Sequence, residues 1–330
     1  MNPARRRDAA GRKEPALKVT SARLRTVLAA ALLALAGGAA PAHAAPAAAA
    51  DGCGAAPPQA PGTSTDHTLT SGDRERGYRL HLPDGYTGEE RLPVVLAFHG
   101  RGNAAATTEE FSKLSTLPAI VAYPEGVVDD EGKQAWQGAP YSVPGVDDVA
   151  FAGDLLDELQ AELCTDERRV YATGKSNGAG LTALLACRLS DRIAAIAPVA
   201  GAFYPGTGTG QDCAPSRPVP VLEFHGTGDT TIPYAGDADR GLPAVRDWAA
   251  GWAGRNGCEA QVPDRTTAPD ITVARWTDCD RDAEVRHIAV TDGGHTWPGA
   301  DSYSGGGYVT QSIEAHDVLW DFVRRYALPR

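Results

Sequence analysis

The chain has 330 residues and a formal net charge of −11, with 42 acidic and 31 basic side chains. Its first 44 residues carry a net charge of +6, which leaves −17 on the remaining 286. This acidic balance argues against binding to nucleic acid or to an anionic membrane surface, and the length fits one large domain.

A secretory signal peptide is predicted at residues 1–44. Basic side chains are concentrated at 5–25, an apolar Ala/Leu run follows at 26–40, and Ala42-His43-Ala44 has the pattern of a cleavage site. The apolar run is too short to predict a transmembrane helix. We therefore expect a secreted, extracellular protein with no membrane association.

Residues 45–63 are rich in Ala and Pro and predict a flexible lead-in that is attached to the domain only through Cys53. Residues 64–330 then predict a single domain. Apolar runs in this domain predict strands at 77–82, 92–98, 119–123, 170–172, 193–199, 219–224 and 284–290. Apolar side chains at helical spacing predict helices at 107–117, 149–163, 242–252 and 311–325, with a further helix directly after residue 176.

Strands that alternate with helices imply an α/β fold with a mostly parallel central sheet and helices on both faces. In such a sheet, reactive groups collect in the loops beyond the carboxyl ends of the strands. The strand at 170–172 ends in Gly174-Lys175-Ser176-Asn177-Gly178, and a helix follows at once. Small residues on both sides of Ser176 allow the sharp turn of a nucleophile elbow, which would expose the serine hydroxyl.

Two further strand ends supply partners for Ser176. Asp229 follows the strand at 219–224, and His295 follows the last predicted strand on a glycine turn. His295 would take the serine proton, while Asp229 would fix the imidazole tautomer and stabilise its cation. Rival carboxylates lie farther into the loop or too near the histidine in sequence: Asp237, Asp239 and Asp292.

Backbone N–H groups must stabilise the oxyanion of such a reaction. Asn177, the residue after the nucleophile, predicts one donor, and the turn at residues 99–102 predicts a second, from Arg101. The alternative is that this turn only connects a strand to a helix. Trp136 and Trp297 are candidates for contact with substrate, although isolated tryptophans are as often part of a core. His99 and His225, each followed by glycine at a strand end, are predicted to organise turns.

All six cysteines lie beyond residue 44, and an even number in an exported chain favours disulfides over metal ligation. We expect no metal site and no cofactor. Cys164 precedes the elbow strand, and Cys187 lies in the helix that returns beside it, so these two are predicted to pair, although six cysteines allow fifteen pairings. The other pairs are then expected to be Cys258–Cys279 and Cys53–Cys213.

These motifs together resemble the secreted feruloyl and acetylxylan esterases that are related to polyhydroxybutyrate depolymerases. The resemblance runs over residues 77–325 and rests on VVLAFHGRG, GVDDVAF, RVYATGKSNGAG, VLEFHGTGD, IPY and GGHTWPG. It implies an α/β-hydrolase fold and a Ser/Asp/His triad at Ser176, Asp229 and His295. Two departures are Lys175, at an elbow position usually filled by an apolar residue, and Ala179, in place of a frequent glycine.

The expected function is that of a serine esterase that cleaves feruloyl or acetyl esters of plant cell-wall polysaccharide through an acyl-enzyme. Its partner would be an ester-bearing polysaccharide, oligosaccharide or polyester, and a monomer is expected. One alternative is a depolymerase of short-chain polyhydroxyalkanoate. The others are a peptidase and a non-catalytic secreted binding protein with the same fold.

Overall fold

A ten-stranded sheet forms the centre of the structure, a computed structural model that describes residues 51–209 and 212–329. The predicted signal peptide lies outside these residues, so its cleavage stays a prediction. The strands are β1 (Ser64–Ser71), β2 (Arg74–His81), β3 (Leu92–Phe98), β4 (Ile120–Pro124), β5 (Val127–Val128), β6 (Gln134–Ala135), β7 (Thr165–Lys175), β8 (Ala195–Val199), β9 (Val221–Gly226), β10 (Ala260–Ala268), β11 (Ile271–Thr277) and β12 (Val285–Val290). The helices are α1 (Ala105–Ser112), α2 (Asp148–Glu162), α3 (Asn177–Arg188), α4 (Val245–Arg255) and α5 (Ala315–Val323), with short 3-10 turns at Leu114–Thr116 and Asp280–Asp282.

The strand order across the sheet is β1-β2-β4-β3-β7-β8-β9-β12-β11-β10, and β5 pairs separately with β6. The six strands from β4 to β12 are parallel, and antiparallel strands extend both edges. Because the carboxyl ends of parallel strands meet at one edge, the loops after β3, β7, β9 and β12 lie together there.

Both faces of the sheet are buried, which explains the continuous apolar runs of its central strands. Successive residues of β3 point to opposite sides, so Val94 lies in one apolar core and Val95 in the other. The first core contains Leu155 of α2 and Leu181 of α3, and the second contains Leu319 of α5. The predicted mostly parallel sheet with helices on both faces is confirmed.

The sequence patterns miss strand β1 at one end of this sheet and strands β11 and β10 at the other. Strand β1 is half exposed, and almost every residue of β10 is exposed, so neither carries the apolar pattern of a buried strand. The hairpin of β10 and β11 extends the sheet beyond β12.

Within residues 51–209 and 212–329, no helix is both long enough and apolar enough to cross a bilayer.

The described part of the lead-in, residues 51–63, has more contacts than the single disulfide expected for it. The Gly54 N–H donates to the Gly88 carbonyl at 2.8 Å, and Gln59 Nε2 donates to the Leu80 carbonyl at 3.0 Å. Residues 51–63 are therefore hydrogen bonded to β2 and to the loop after it.

The disulfides are Cys53–Cys164, Cys187–Cys213 and Cys258–Cys279. All six cysteines are paired and the third pairing is confirmed, but the predicted Cys164–Cys187 and Cys53–Cys213 pairs are wrong. Cys187 faces the loop after β8, where its Sγ is 3.0 Å from the Gly208 carbonyl oxygen. Cys164 instead lies beside the segment that carries Cys53, so the N-terminal segment is joined to the start of β7.

The disulfides differ in how much of the chain each one encloses. Cys53–Cys164 spans 111 residues, whereas Cys258–Cys279 spans 21. Loop-closure entropy predicts that replacing the first pair by alanines lowers the free energy of unfolding by about 1.5 kcal/mol more than replacing the second pair. Urea denaturation of both double variants tests this; equal losses would contradict it.

Candidate active site

The turn between β7 and α3 holds Ser176 in a strained backbone conformation. Its φ is 57° and its ψ is −117°, a combination that a residue other than glycine seldom adopts. Glycines on each side make the turn possible: a Cβ added at Gly178 would lie 2.3 Å from the Phe98 carbonyl oxygen, and one at Gly174 would lie 2.7 Å from Gly178. The structure therefore has the predicted elbow.

Hydrogen bonds from two sides fix the elbow backbone. The Ser176 N–H donates to the Val199 carbonyl of β8 at 3.0 Å. The Ser176 carbonyl accepts from Gly180 in α3 and from Ala202 beyond β8, each at 3.1 Å. The position of the serine is thus set by the sheet and the helix together.

Asp229 lies three residues beyond the end of β9, and its side chain is enclosed by N–H donors. Oδ1 accepts from the backbone N–H groups of Thr231 and Ile232, at 2.8 and 2.9 Å. Oδ2 accepts from His295 Nδ1 at 2.7 Å. Asp229 is therefore the carboxylate that contacts the predicted base.

The loops that carry Asp229 and His295 pack directly on each other. A Cβ added at Gly226 would lie 2.1 Å from the Gly293 carbonyl oxygen, so this approach requires glycine. The Gly228 N–H donates to the same carbonyl at 2.9 Å. These contacts hold the aspartate against the histidine.

The two side chains have opposite protonation preferences. Burial alone would raise the pKa of Asp229, but hydrogen bonds from His225 and His295 outweigh it and hold the pKa well below its usual range. Burial lowers the pKa of His295 to about 4; the hydrogen bond with Asp229 opposes this, and the charge of Lys175 adds to it. His295 is consequently neutral at neutral pH, with its proton on Nδ1 facing the carboxylate.

No direct hydrogen bond joins Ser176 to His295, but His295 lies near the side chain of Lys175, the residue before Ser176. Gly305 packs against the His295 backbone and the end of the Lys175 side chain: a Cβ added there would lie 1.8 Å from the His295 carbonyl oxygen and 3.0 Å from Lys175 Nζ. The His295 N–H also donates to the Gly306 carbonyl at 2.8 Å. Catalytic hydrogen bonds are often absent before substrate binds, so this geometry is compatible with a resting site.

The loop after β3 lies against the elbow, as required of a second oxyanion donor. A Cβ added at Gly100 would lie 3.4 Å from Ser176 Cβ. Within the described residues, the backbone N–H groups of Arg101 and Asn177 donate to no protein acceptor, whereas the Gly102 N–H is taken by the Gln134 carbonyl. The backbone N–H groups of Arg101 and Asn177 are therefore free to donate to a ligand near the elbow.

Both tryptophans predicted to contact substrate are buried instead. Trp136 is 0% exposed; its Nε1 donates to the His99 carbonyl at 2.8 Å, and its backbone N–H donates to Asn177 Oδ1 at 2.7 Å. It joins the loop after β3 to α3. Trp297 is 1% exposed and packs on Phe111 in the core. Neither side chain presents a surface to a ligand.

A cavity of about 260 Å³ lies beside the loop after β3, and no sequence pattern indicates it. The guanidinium of Arg101 lies 4.2 Å from the ring centre of Tyr141, and both line the cavity. Its acidic lining residues are Asp129, Asp130 and Glu131. Gly100, the residue before Arg101, lies against Ser176, so this cavity is close to the elbow.

Lys175 is the least expected side chain at the site. It is 3% exposed, and no hydrogen bond or ion pair of its ammonium is found among the described residues. Burial lowers its pKa to about 8, although attraction to Asp229 opposes this shift.

Across residues 51–209 and 212–329, no group of three or more His, Cys, Asp or Glu side chains is arranged to hold a metal ion.

Lys175→Met is expected to move the acid limb of the kcat/KM profile to higher pH. Lys175 is positively charged in the acid range, and its repulsion lowers the pKa of His295, so removing the charge raises that pKa. As pH falls, the base is then protonated sooner. Profiles for p-nitrophenyl acetate test this, with Lys133→Met at an exposed lysine as control; an unmoved or downward-shifted limb contradicts it.

Comparisons with known proteins agree with the sequence motifs. The family model described as Esterase PHB depolymerase matches residues 76–210. Feruloyl esterase B of Piromyces equi is 30% identical over 261 residues, which cover 76% of this chain and 45% of that protein. The putative esterase NocK of Nocardia uniformis subsp. tsuyamanensis is 31% identical over 272 residues, which cover 73% of this chain and 76% of that protein. The chain thus matches less than half the length of the first relative and most of the second.

A solved structure extends the likeness to the fold. Acetyl xylan esterase from Aspergillus awamori superposes with a TM-score of 0.58 at 17% identity, covering 79% of this chain and 99% of that structure. At this identity the likeness concerns the fold alone, and it confirms the predicted α/β-hydrolase fold.

Proposed function

We propose that this chain, which belongs to the esterase PHB depolymerase family, is a carboxylic ester hydrolase: a secreted serine esterase acting on feruloyl or acetyl esters of plant cell-wall polysaccharide. One observation carries the catalytic half of this proposal. The hydrogen bond from His295 to Asp229 lies at the sheet edge where the elbow strains the backbone of Ser176.

In the first step, His295 acts as the general base. Since Asp229 accepts the Nδ1 proton, the lone pair of a neutral ring is on Nε2, the atom that takes the proton of the Ser176 hydroxyl. The serine oxygen attacks the ester carbonyl as it loses this proton. The N–H groups of Arg101 and Asn177 accommodate the negative oxygen of the tetrahedral intermediate.

In the second step, the imidazolium returns its proton to the leaving alcohol, and the acyl group stays on Ser176. Water then repeats the sequence: His295 removes a proton from it, the acyl-enzyme is cleaved, and the serine regains its hydrogen. Asp229 remains ionised throughout and stabilises the transient imidazolium. No cofactor takes part in this proposal.

The cavity beside Arg101 supports an alcohol that is neutral and polar. One guanidinium faces three carboxylates, so the lining is net negative and disfavours an anionic leaving group. Carboxylates and the hydroxyl of Tyr141 accept or share the hydrogen bonds that sugar hydroxyls offer. Together with the kinship to a feruloyl esterase, this favours a carbohydrate ester over an oligomer with a terminal carboxylate.

A panel of three substrates tests the proposal: methyl ferulate, acetylated xylan and hydroxybutyrate oligomers. Release of ferulate or acetate at rates above those on the oligomers is expected, and activity confined to the oligomers would favour the depolymerase instead. A fluorophosphonate probe tests the serine separately. Absence of labelling, together with no hydrolysis of any ester, would favour a binding protein.

Secretion and the domain boundaries belong to the same proposal. Three disulfides support export to an oxidising compartment, since they are rare in reduced cytosol. We infer removal of residues 1–44 and a mature protein composed of the lead-in at 45–63 and the catalytic domain at 64–330. Mass spectrometry of protein collected from culture medium is expected to give an N-terminus at Ala45; a retained leader would contradict this.

A further inference from the structure

A buried histidine contacts the far side of the candidate catalytic carboxylate. His225, at the end of β9, has its Nε2 2.9 Å from the Ile232 carbonyl oxygen and 3.4 Å from Asp229 Oδ2. Its Nδ1 is 3.0 Å from Glu223 Oε1. Both ring nitrogens therefore face oxygen atoms, which makes this histidine different from an ordinary turn-forming one.

The chain of buried side chains continues beyond Glu223. Oε2 of this glutamate is 2.6 Å from His287 Nδ1 on the neighbouring strand β12. His287 Nε2 is 2.8 Å from the hydroxyl of Tyr234. The carboxyl group of Glu223 is fully buried and lies between two imidazoles.

Hydrogen-bond chemistry restricts the protonation of His225. A backbone carbonyl only accepts, so Nε2 must carry a proton to bond Ile232 and approach Asp229. Nδ1 faces a carboxyl oxygen, and it carries a second proton whenever Glu223 is ionised. A neutral His287 satisfies the other oxygen of Glu223, because it can donate from Nδ1 and accept the Tyr234 hydroxyl proton on Nε2.

The charge balance favours an ionised Glu223 and a doubly protonated His225. Burying a carboxylate without a partner has a large desolvation free energy. The imidazolium provides the opposite charge at hydrogen-bond distance. The contrast with His99 is informative: its Nδ1 donates to the Gly100 carbonyl, while its Nε2 accepts from the Gly126 N–H. One proton satisfies that ring, whereas His225 has no donor facing it except a protonated Glu223.

We propose that His225 is a positioning residue of the esterase site: held as an imidazolium between Glu223 and Asp229, it fixes the Asp229 oxygen that orients His295. This inference rests on the proposed triad. Oδ2 of Asp229 is shared by His225 at 3.4 Å and His295 at 2.7 Å, so the two rings fix it from two directions. The aspartate cannot rotate without breaking both contacts.

Other charges facing this ring agree with the assignment. Burial opposes a charge on His225, but hydrogen bonds with Asp229 and Glu223 raise its pKa to about 10. The positive charge of His225 also contributes to the low pKa of His295, as does Lys175 on β7. His287 and Tyr234 complete the surroundings of the Glu223 side of the network.

Nitrogen NMR of the full mature protein tests the protonation state directly. In ¹⁵N-histidine-labelled protein at neutral pH, His225 is expected to show two protonated ring nitrogens, and its signals are assigned by their loss in His225→Gln. A ring with one unprotonated nitrogen would overturn the proposal. This readout does not depend on activity, so it stands even if the proposed esterase function fails.

Kinetics test the positioning role. Glu223→Gln leaves a side chain that can donate to Nδ1, so His225 keeps its contacts with Ile232 and Asp229 as a neutral ring. We expect the acid limb of kcat/KM for p-nitrophenyl acetate to move to higher pH in Glu223→Gln and His225→Gln, with a fall of about tenfold near the lower end of the profile. The control is His316→Gln, at a buried histidine on α5.

Two outcomes separate positioning from mere stability. A lower melting temperature with an unmoved acid limb in both variants would overturn the positioning role. If His225→Gln does not fold, the Glu223→Gln/His225→Gln double variant removes both charges together, and a shifted limb in it supports the proposal. Fluorophosphonate labelling of the wild type, which reports the triad, identifies a failure of the proposed function itself.

Discussion

Ser176→Ala is expected to lower kcat for ester hydrolysis by a factor on the order of 10⁶, as loss of the nucleophile does in other serine hydrolases. Alanine keeps the Cβ and the backbone turn of residue 176 but has no oxygen to form the acyl-enzyme. The flanking elbow residues, Lys175 and Asn177, carry no hydroxyl that could replace it. Steady-state rates on p-nitrophenyl acetate and mass spectrometry after fluorophosphonate treatment measure the loss.

Ser190→Ala is a matched control for this variant. Ser190 follows the opposite end of α3, where its hydroxyl pairs with Ser216 at 2.8 Å. We expect near-normal turnover and full labelling in this control. The strain at residue 176 is unchanged by the substitution, so the Ser176→Ala protein is expected to unfold within a few degrees of the wild type. Turnover within a hundredfold of wild type would mean that the nucleophile lies elsewhere.

The candidate site could be predicted from the sequence because each of its parts depends on a local pattern. The turn around Ser176 needs small residues at fixed spacing, and Asp229 and His295 each follow a predicted strand within a few residues. Parallel strands then bring their carboxyl ends to one edge, whatever the details of packing. The α/β fold follows from the same alternation of strands and helices.

What could not be predicted depends on contacts between distant segments. Cys164 directly precedes β7, and Cys187 lies in α3, the helix that follows β7. The side chain of Cys187 nevertheless faces the loop that carries Cys213. No local pattern encodes that direction. The prediction for Trp136 fails for a similar reason, since the side chain is buried and bonded to His99 and Asn177 is bonded to its backbone, both far away in sequence.

The network behind Asp229 shows how a residue can be placed correctly while its chemistry is missed. His225 is at a strand end, as predicted, and it does hold the turn through the Ile232 carbonyl. Its charge depends on Glu223 two residues earlier, on the same face of β9, and on His287 from β12. The sequence signal for this network is the E-x-H pattern of Glu223 and His225 in a buried strand. A glutamate buried in such a strand requires a hydrogen-bonding or charged partner.

Asp229→Asn is expected to lower kcat by a factor of about 10⁴. Four N–H donors face this carboxylate: those of Thr231, Ile232, His225 and His295. An asparagine side chain has one oxygen and one NH₂ group. If its oxygen accepts from the backbone N–H groups of Thr231 and Ile232, its NH₂ group faces His295 Nδ1 and donates to it. The ring must then carry its proton on Nε2, and it can no longer accept the serine proton. Rates on p-nitrophenyl acetate measure the fall, and ¹⁵N NMR of His295 reports the tautomer.

Asp237→Asn is the matched control, since Asp237 is a rival carboxylate in the same loop that accepts from the Asp239 and Arg240 N–H groups. A large loss of kcat in Asp237→Asn with little loss in Asp229→Asn would reverse the assignment.

The pH dependence of stability tests the state of Asp229 independently. The folded pKa of Asp229 is depressed, so its contribution to stability is present above the unfolded pKa and is lost as pH falls toward the folded value. Asparagine does not titrate, so unfolding of Asp229→Asn is expected to depend less steeply on pH below about 4 than unfolding of the wild type.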